Sequence, residues 1–162
     1  MNVSIEIAVE ALGWAGMPAA QAAIRSAVEA AVADAGPEEV EVGVVLADDE
    51  RVRALNRTWL GEDKPTNVLS FPAPDRPGSG SRFLGDVVFA LETIQREAEA
   101  ENKPLDQHLS HLAVHGVLHL LGFDHERDED AEAMQNRERR ILAQLGIPDP
   151  YTPVAQRRTE PA

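Results

Sequence analysis

The stretch His115-Gly116-Val117-Leu118-His119-Leu120-Leu121-Gly122-Phe123-Asp124-His125 holds three of the chain's five histidines, and its spacing governs how the rest is read. His115 and His119 stand at i and i+4, so on a helix both imidazoles leave the same face one turn apart. Gly122 falls where such a helix would end, because glycine takes the left-handed conformation at C′ without a Cβ penalty. A turn there brings His125 back toward the other two. Three neutral imidazoles around one point make a site for a divalent transition metal, zinc by default. Three protein ligands leave a fourth position for water, which marks a catalytic rather than a structural zinc. Single histidines on helices are ordinary surface or core residues, but three in this spacing favour a metal. The expectation is one zinc per chain, held by His115, His119 and His125, which act in catalysis through it.

Outward from that stretch, Pro104 opens its helix. Leu109, Leu112, Val114, Val117, Leu118, Leu120 and Leu121 cover nearly every face, so the helix is expected to be central and buried. Beyond it, Asp128 is read as the cap of a last helix with the stripe Ala131, Met134, Ile141, Leu142 and Leu145, ended by Gly146 and Pro148. Toward the N-terminus, Val3, Ile5, Ile7 and Val9 alternate with Ser4, Glu6, Ala8 and Glu10, the period of a strand with one buried face. Pro18 starts a helix of alanine-rich stripe that Gly36-Pro37 stops. Val40, Val42, Val44 and Leu46 give a second strand. Asp48 caps a helix whose inner stripe is read as Val52, Leu55 and Trp59, ended by Gly61. Thr66 to Phe71 reads as a third strand, bracketed by Pro65 and Pro72 and so suited to a sheet edge. A Pro, Gly and Ser-rich segment from Ala73 to Arg82 reads as a mobile loop. Phe83 to Ala90 is a fourth strand, and Leu91, Ile94 and Ala98 begin a short helix. The fold class is therefore α+β: a single domain over 1–151, a small four-stranded sheet packed against a central metal-binding helix and surrounding helices, and a disordered polar tail over 152–162. Sheet order is not legible.

Among 162 residues there is no cysteine, which removes any disulfide framework or thiolate metal site and fits a reducing cytoplasm. No signal peptide is evident, and the most apolar stretch, Leu112 to Phe123, is too short for a membrane span. The net charge of −13 argues against a sequence-independent nucleic-acid coat, while leaving room for a local basic cleft.

The spacing of the histidines is that of the metzincin proteases, but those carry a glutamate base directly after the first histidine, and here that residue is Gly116. The full string H-G-x-L-H-L-x-G-x-D-H resembles instead the YbeY family of bacterial endoribonucleases, implicated in ribosomal RNA maturation. Leu55-Asn56, the run Asp63-Lys64-Pro65-Thr66-Asn67-Val68-Leu69-Ser70-Phe71-Pro72, Leu84-Gly85-Asp86 and Lys103-Pro104-Leu105 also look like that family, so the resemblance spans most of the chain to Tyr151. It implies a zinc-dependent, single-strand-specific endoribonuclease acting in ribosomal RNA processing and ribosome biogenesis. RNA, above all rRNA precursors, would be the partner, with ribosomal proteins as further candidates and no membrane. A rival class is a non-catalytic ribosome-assembly factor that binds RNA or a ribosomal protein; a metalloprotease-like hydrolase ranks below it, because Gly116 removes the base.

The resemblance also offers Arg57, Lys64, Thr66, Ser70 and His111 as residues that contact substrate. Arg51 and Arg53 read as a solvated helix face. His111, at i−4 from His115, is a candidate for the ring behind the ligands or for the cleft, and His108 reads as an ordinary polar helix residue. Asp124 stands beside the third ligand, where it would orient an imidazole, act as a base, or bond the turn backbone. Asp86 lies in a strand, next to the core or facing a cleft. One departure stands out: related sequences usually carry an arginine just before Gly61, and here the residue is Leu60.

Overall fold

The alternating apolar residues of the first two strands place them side by side, and the computed structural model shows how the remainder closes over them. It describes residues 3–36, 39–74, 82–124 and 126–151. The elements are β1 (Val3–Val9), α1 (Pro18–Ala35), β2 (Val40–Ala47), α2 (Asp49–Leu60), β3 (Val68–Pro72), β4 (Arg82–Ala90), α3 (Leu91–Ala100), α4 (Leu105–Leu120) and α5 (Asp128–Gln144), with a 3-10 turn at Leu12–Trp14. This is the expected α+β class with four strands. The sheet order is β1-β2-β4-β3; β1, β2 and β4 run parallel, and β3 pairs antiparallel with β4 at the edge. The prolines anticipated that edge: Pro72 ends β3, where a missing N–H breaks no inner ladder.

β3 begins two residues later than expected. Asn67 folds back on its own chain instead, its Oδ1 accepting from Val68 N at 2.7 Å and its amide donating to Glu97 on α3. The Ala73–Arg82 loop lies largely outside the described residues, as does the tail from Thr152; Arg82 itself is in β4.

A bulge in β4 settles which side chains face which way. Glu41 pairs with Phe83 but Val42 pairs with Gly85, so one residue of β4 is extra. Gly85 has φ +135°, and a Cβ on it would lie 2.2 Å from the Phe71 carbonyl oxygen, so only glycine fits there. After the bulge, Val87 and Phe89 join Val42, Val44 and Leu46 on the inner face, while Asp86 and Val88 turn to the outer one. α1 and α4 cover the inner face, with α5 packed on both. Trp14, Ile24, Phe89, Leu109, Leu118, Met134 and Ile141 are fully buried in this layer, and each such side chain contributes about 1.5–3 kcal/mol. The indole of Trp14 donates to the Ala47 carbonyl at 2.9 Å, tying the 3-10 turn to β2.

α2 covers the outer face, where Val52 packs with Ala47, Leu69, Val88 and Ala90. Its ends are as expected: Asp48 Oδ1 accepts from Arg51 N at 2.8 Å, and Gly61 has φ +73°. Its inner stripe is not. Trp59 is 68% exposed, and Asn56 is buried instead because its amide donates to the Lys64 carbonyl at 2.9 Å, holding the loop that leads to β3. α5 also starts differently. Asp128 is its first helical residue rather than its cap, Arg127 occupies the cap position without a side-chain bond, and Asp128, Glu129 and Asp130 all sit in the first turn, where negative charge is favoured. Among the described residues no helix is long and apolar enough to cross a membrane.

Candidate metal centre

The buried residues of α4 leave one stripe partly open, and it carries His111, His115 and His119 at successive i+4 positions. Leu112, Ala113, Val114, Gly116, Val117 and Leu118 between them face the core, so the stripe cannot rotate without exposing apolar surface. Gly116 brings α4 close to the sheet. A Cβ there would lie 2.7 Å from Val87 Cγ1 and 3.3 Å from Ser70 Oγ, and Ser70 donates to the Gly116 carbonyl at 2.9 Å. The helix ends where glycine was expected to end it. Gly122 has φ +100°, and Phe123 N donates back to the Leu118 carbonyl at 3.0 Å.

The two ligand candidates meet. His115 Nε2 and His119 Nε2 are 3.0 Å apart, with the rings nearly perpendicular. Behind His115 stands Glu138 of α5, 0% exposed. Its Oε2 accepts from His115 Nδ1 at 2.7 Å, and its Oε1 accepts from His111 Nε2 at 2.9 Å and from the Tyr151 hydroxyl. Burial alone would raise the Glu138 carboxyl, but the bonds from His111, His115 and Tyr151 outweigh it and hold it down at about 2. Burial and the neighbouring Glu138 carboxylate push the Tyr151 phenol up. An ionised carboxylate only accepts, so the bond from His115 to Glu138 uses Nδ1 as its donor and leaves Nε2 as the ring atom turned toward His119.

That arrangement fits a divalent metal. Two ligands about 2.0–2.1 Å from one tetrahedral zinc stand about 3.3 Å apart, near the observed 3.0 Å, and a carboxylate behind a ligating imidazole is the usual support of such a ring. The third ligand candidate, His125, lies outside the described residues.

A family model described as endoribonuclease YbeY matches residues 15–146, from the start of the inner helical layer through the histidine string to the end of α5. The chain belongs to the endoribonuclease YbeY family. It is 54% identical over 152 residues to an endoribonuclease YbeY of Rhodopseudomonas palustris, covering 90% of this chain and 88% of that one. To the endoribonuclease YbeY of Azorhizobium caulinodans it is 52% identical, covering 92% and 96%. Its fold is also that of the solution structure of TM1509 from Thermotoga maritima, with a TM-score of 0.51 at 23% identity over 91% of this chain and 99% of that one.

The other candidates of this YbeY-family chain fall as follows. His111 lies on the same partly open stripe with its Nε2 on Glu138, and its Nδ1 is buried without a hydrogen-bond partner among the described residues. Asp124 is exposed, and its Oδ1 faces Glu126 N at 3.4 Å, the local turn contact among its three readings. Ser70 is half-buried, with its hydroxyl on the Gly116 carbonyl. Arg57 lies 3.9 Å from Asp63, and Lys64 lies 3.7 Å from Glu62, both at the surface. Thr66 is half-buried in the connection to β3. His108 is more than the ordinary polar helix residue expected: it is buried, with Nε2 2.8 Å from Glu97 Oε1. Burial would raise the Glu97 carboxyl, but bonds from His108 and Asn67 hold it below the usual range. Asp86 sits on the outer face above Gly43, where any Cβ would lie 1.9 Å from its Oδ1, and burial pushes its carboxyl up.

Glu138 is the residue that sequence reasoning missed. Its signal was present, because it lies four residues after Met134 and three before Ile141, inside the apolar stripe of α5. An acidic residue at such a position must be paired.

Proposed function

We propose that this chain, an endoribonuclease by family, cuts single-stranded RNA with the help of one zinc, and that its role is ribosomal RNA processing and ribosome biogenesis in the cytoplasm. The observation that carries the metal part is the approach of His115 Nε2 and His119 Nε2 to 3.0 Å with an ionised carboxylate behind His115. His115, His119 and His125 would hold the ion. A zinc there supplies Lewis-acid polarisation of a phosphoryl oxygen and lowers the pKa of bound water toward about 7. The chain's own contributions are positional. Glu138 Oε2 stands 2.7 Å behind His115 Nδ1, and α4 holds two imidazoles one turn apart.

Gly116 supplies no peptidase base. Position 116 faces Val87 and Ser70 in the sheet, so no side chain there can reach the open stripe of α4. Peptide hydrolysis of the metzincin kind is therefore disfavoured by packing as well as by residue type.

One observation favours a second reading, an assembly factor with weak turnover. Leu60, where the resemblance leads one to expect arginine, is 59% exposed at the end of α2, and its basic neighbours Arg57 and Lys64 lie beside acidic residues. An RNase assay on a defined single-stranded RNA separates the two, comparing native protein with His115→Ala and measuring metal on both. Metal-dependent cleavage lost in the variant supports the enzyme; a metal-loaded native protein that binds the RNA without cutting it supports the assembly factor.

A further inference from the structure

Glu138 is the only charged residue among the described ones with 0% exposure, and it has three donors on two oxygens. A buried carboxylate of this kind brings no packing that a leucine would not match, and stability alone is weak reason for it. Its geometry has another use. Oε2 binds the ring nitrogen of His115 that points away from His119, and Oε1 is held from the far side by His111 and Tyr151. Tyr151 is itself fixed by its backbone N–H donating to Asp149 Oδ1 at 2.9 Å, by Arg139, which grips Asp149 at 3.1 Å, and by that guanidinium lying 5.1 Å from the phenol ring. The segment after α5 thus closes over the carboxylate, and α5 is tied to α1 by Arg137 and Arg140, both 2.9 Å from Asp34.

We propose that Glu138, clamped by Tyr151 and His111, is the positioning residue of the metal centre: it fixes His115 in the Nδ1–H tautomer, so that Nε2 always offers its lone pair toward His119. The claim rests on the zinc reading for its purpose but not for its geometry. A free neutral imidazole divides its hydrogen between the two nitrogens, and a ring with the hydrogen on Nε2 cannot ligate through that atom. Losing a support of this type weakens metal binding by about 10–100-fold. Tyr151 acts one step further out, so removing its hydroxyl should loosen the carboxylate without releasing the ring.

The test uses the full chain as native, Glu138→Gln, Glu138→Ala and Tyr151→Phe. Zinc affinity is read by competition with a chelator, thermal unfolding is recorded alongside, and long-range proton–nitrogen spectra of the metal-free protein report the tautomer of His115. The native ring should show the hydrogen on Nδ1. Glu138→Gln should bind zinc about 10–100-fold more weakly with a cooperative melt, and Tyr151→Phe should lose less than Glu138→Gln. Should Glu138→Ala fail to fold, the glutamine variant and the native spectrum still decide. The proposal is overturned if native His115 carries its hydrogen on Nε2, or if folded Glu138→Gln binds zinc within about two-fold of native. Native protein that takes up no zinc at all overturns the metal reading instead, and the tautomer spectrum then judges the positioning of His115 by itself.

Discussion

Replacing Gly116 probes both the packing of α4 and the exclusion of peptidase chemistry. An added Cβ would lie 2.7 Å from Val87 Cγ1 and 3.3 Å from Ser70 Oγ. Val87 is fully buried and β-branched, so its χ1 has little freedom to yield. Overpacking of this sort costs about 1–3 kcal/mol, while alanine in place of glycine inside a helix returns about 1 kcal/mol. The net for Gly116→Ala is a loss of about 0–2 kcal/mol, or about 0–8 °C in Tm at about 2–4 °C per kcal/mol for a domain of this size. Gly116→Glu, which would write the metzincin motif into the chain, also buries an unpaired carboxylate against β3 and β4. Its loss should exceed about 4 kcal/mol, where mutants fail for a named cause. The assay is thermal unfolding by circular dichroism in metal-free buffer, on native protein and both variants. A Gly116→Glu protein that melts within about 2 °C of native would show that position 116 has a route to solvent, and that α4 does not lie on the sheet as described.

Acid should destabilise the metal-free protein through Glu138. Its folded value of about 2 lies below the ordinary value of 4.5, so the stabilisation is present above 4.5 and is lost as pH falls from there through about 2. The size is on the order of 3 kcal/mol; urea midpoints that stay flat across that window in native protein, or that fall as steeply in Glu138→Gln, would refute it. Leu60→Arg should tighten binding to single-stranded RNA and steepen its salt dependence by about 0.7 in log K against log salt for one added phosphate contact. Leu60 is exposed, so stability should move by no more than about 0.5 kcal/mol; parallel salt titrations of equal affinity would put position 60 away from the RNA. Casein should remain uncut by native protein, and cleavage that disappears in His119→Ala would overturn the exclusion of peptidase activity.

The helix that carries the histidines was legible because three local signals agree: apolar residues around nearly every face, the i, i+4 pair and Gly122 at the stop. Edge placement of β3 followed from Pro65 and Pro72, since a missing donor matters only inside a ladder. Sheet order was not legible, because the pairing of β2 with β4 depends on the bulge at Gly85, and the clash that demands glycine there comes from Phe71 on a different strand. Trp59 was misplaced because hydrophobicity at helical spacing says nothing of Asn56, whose amide finds the Lys64 carbonyl eight residues on. Within the site, the approach of His115 to His119 could be read from spacing alone. Glu138 could not be tied to it, because its partners lie 27 and 23 residues away on another helix. The pairing of Arg57 and Lys64 with acidic neighbours likewise follows from how the loop after Gly61 folds.

Metal content is the most direct test of the central claim. Protein purified at neutral pH without chelator, as native and as His119→Ala, is analysed for zinc per chain and then assayed on the same single-stranded RNA. The account predicts about one zinc per native chain and cleavage that falls with the zinc, both lost together in a variant that still folds. Native protein that cuts RNA equally well with no metal bound would contradict it.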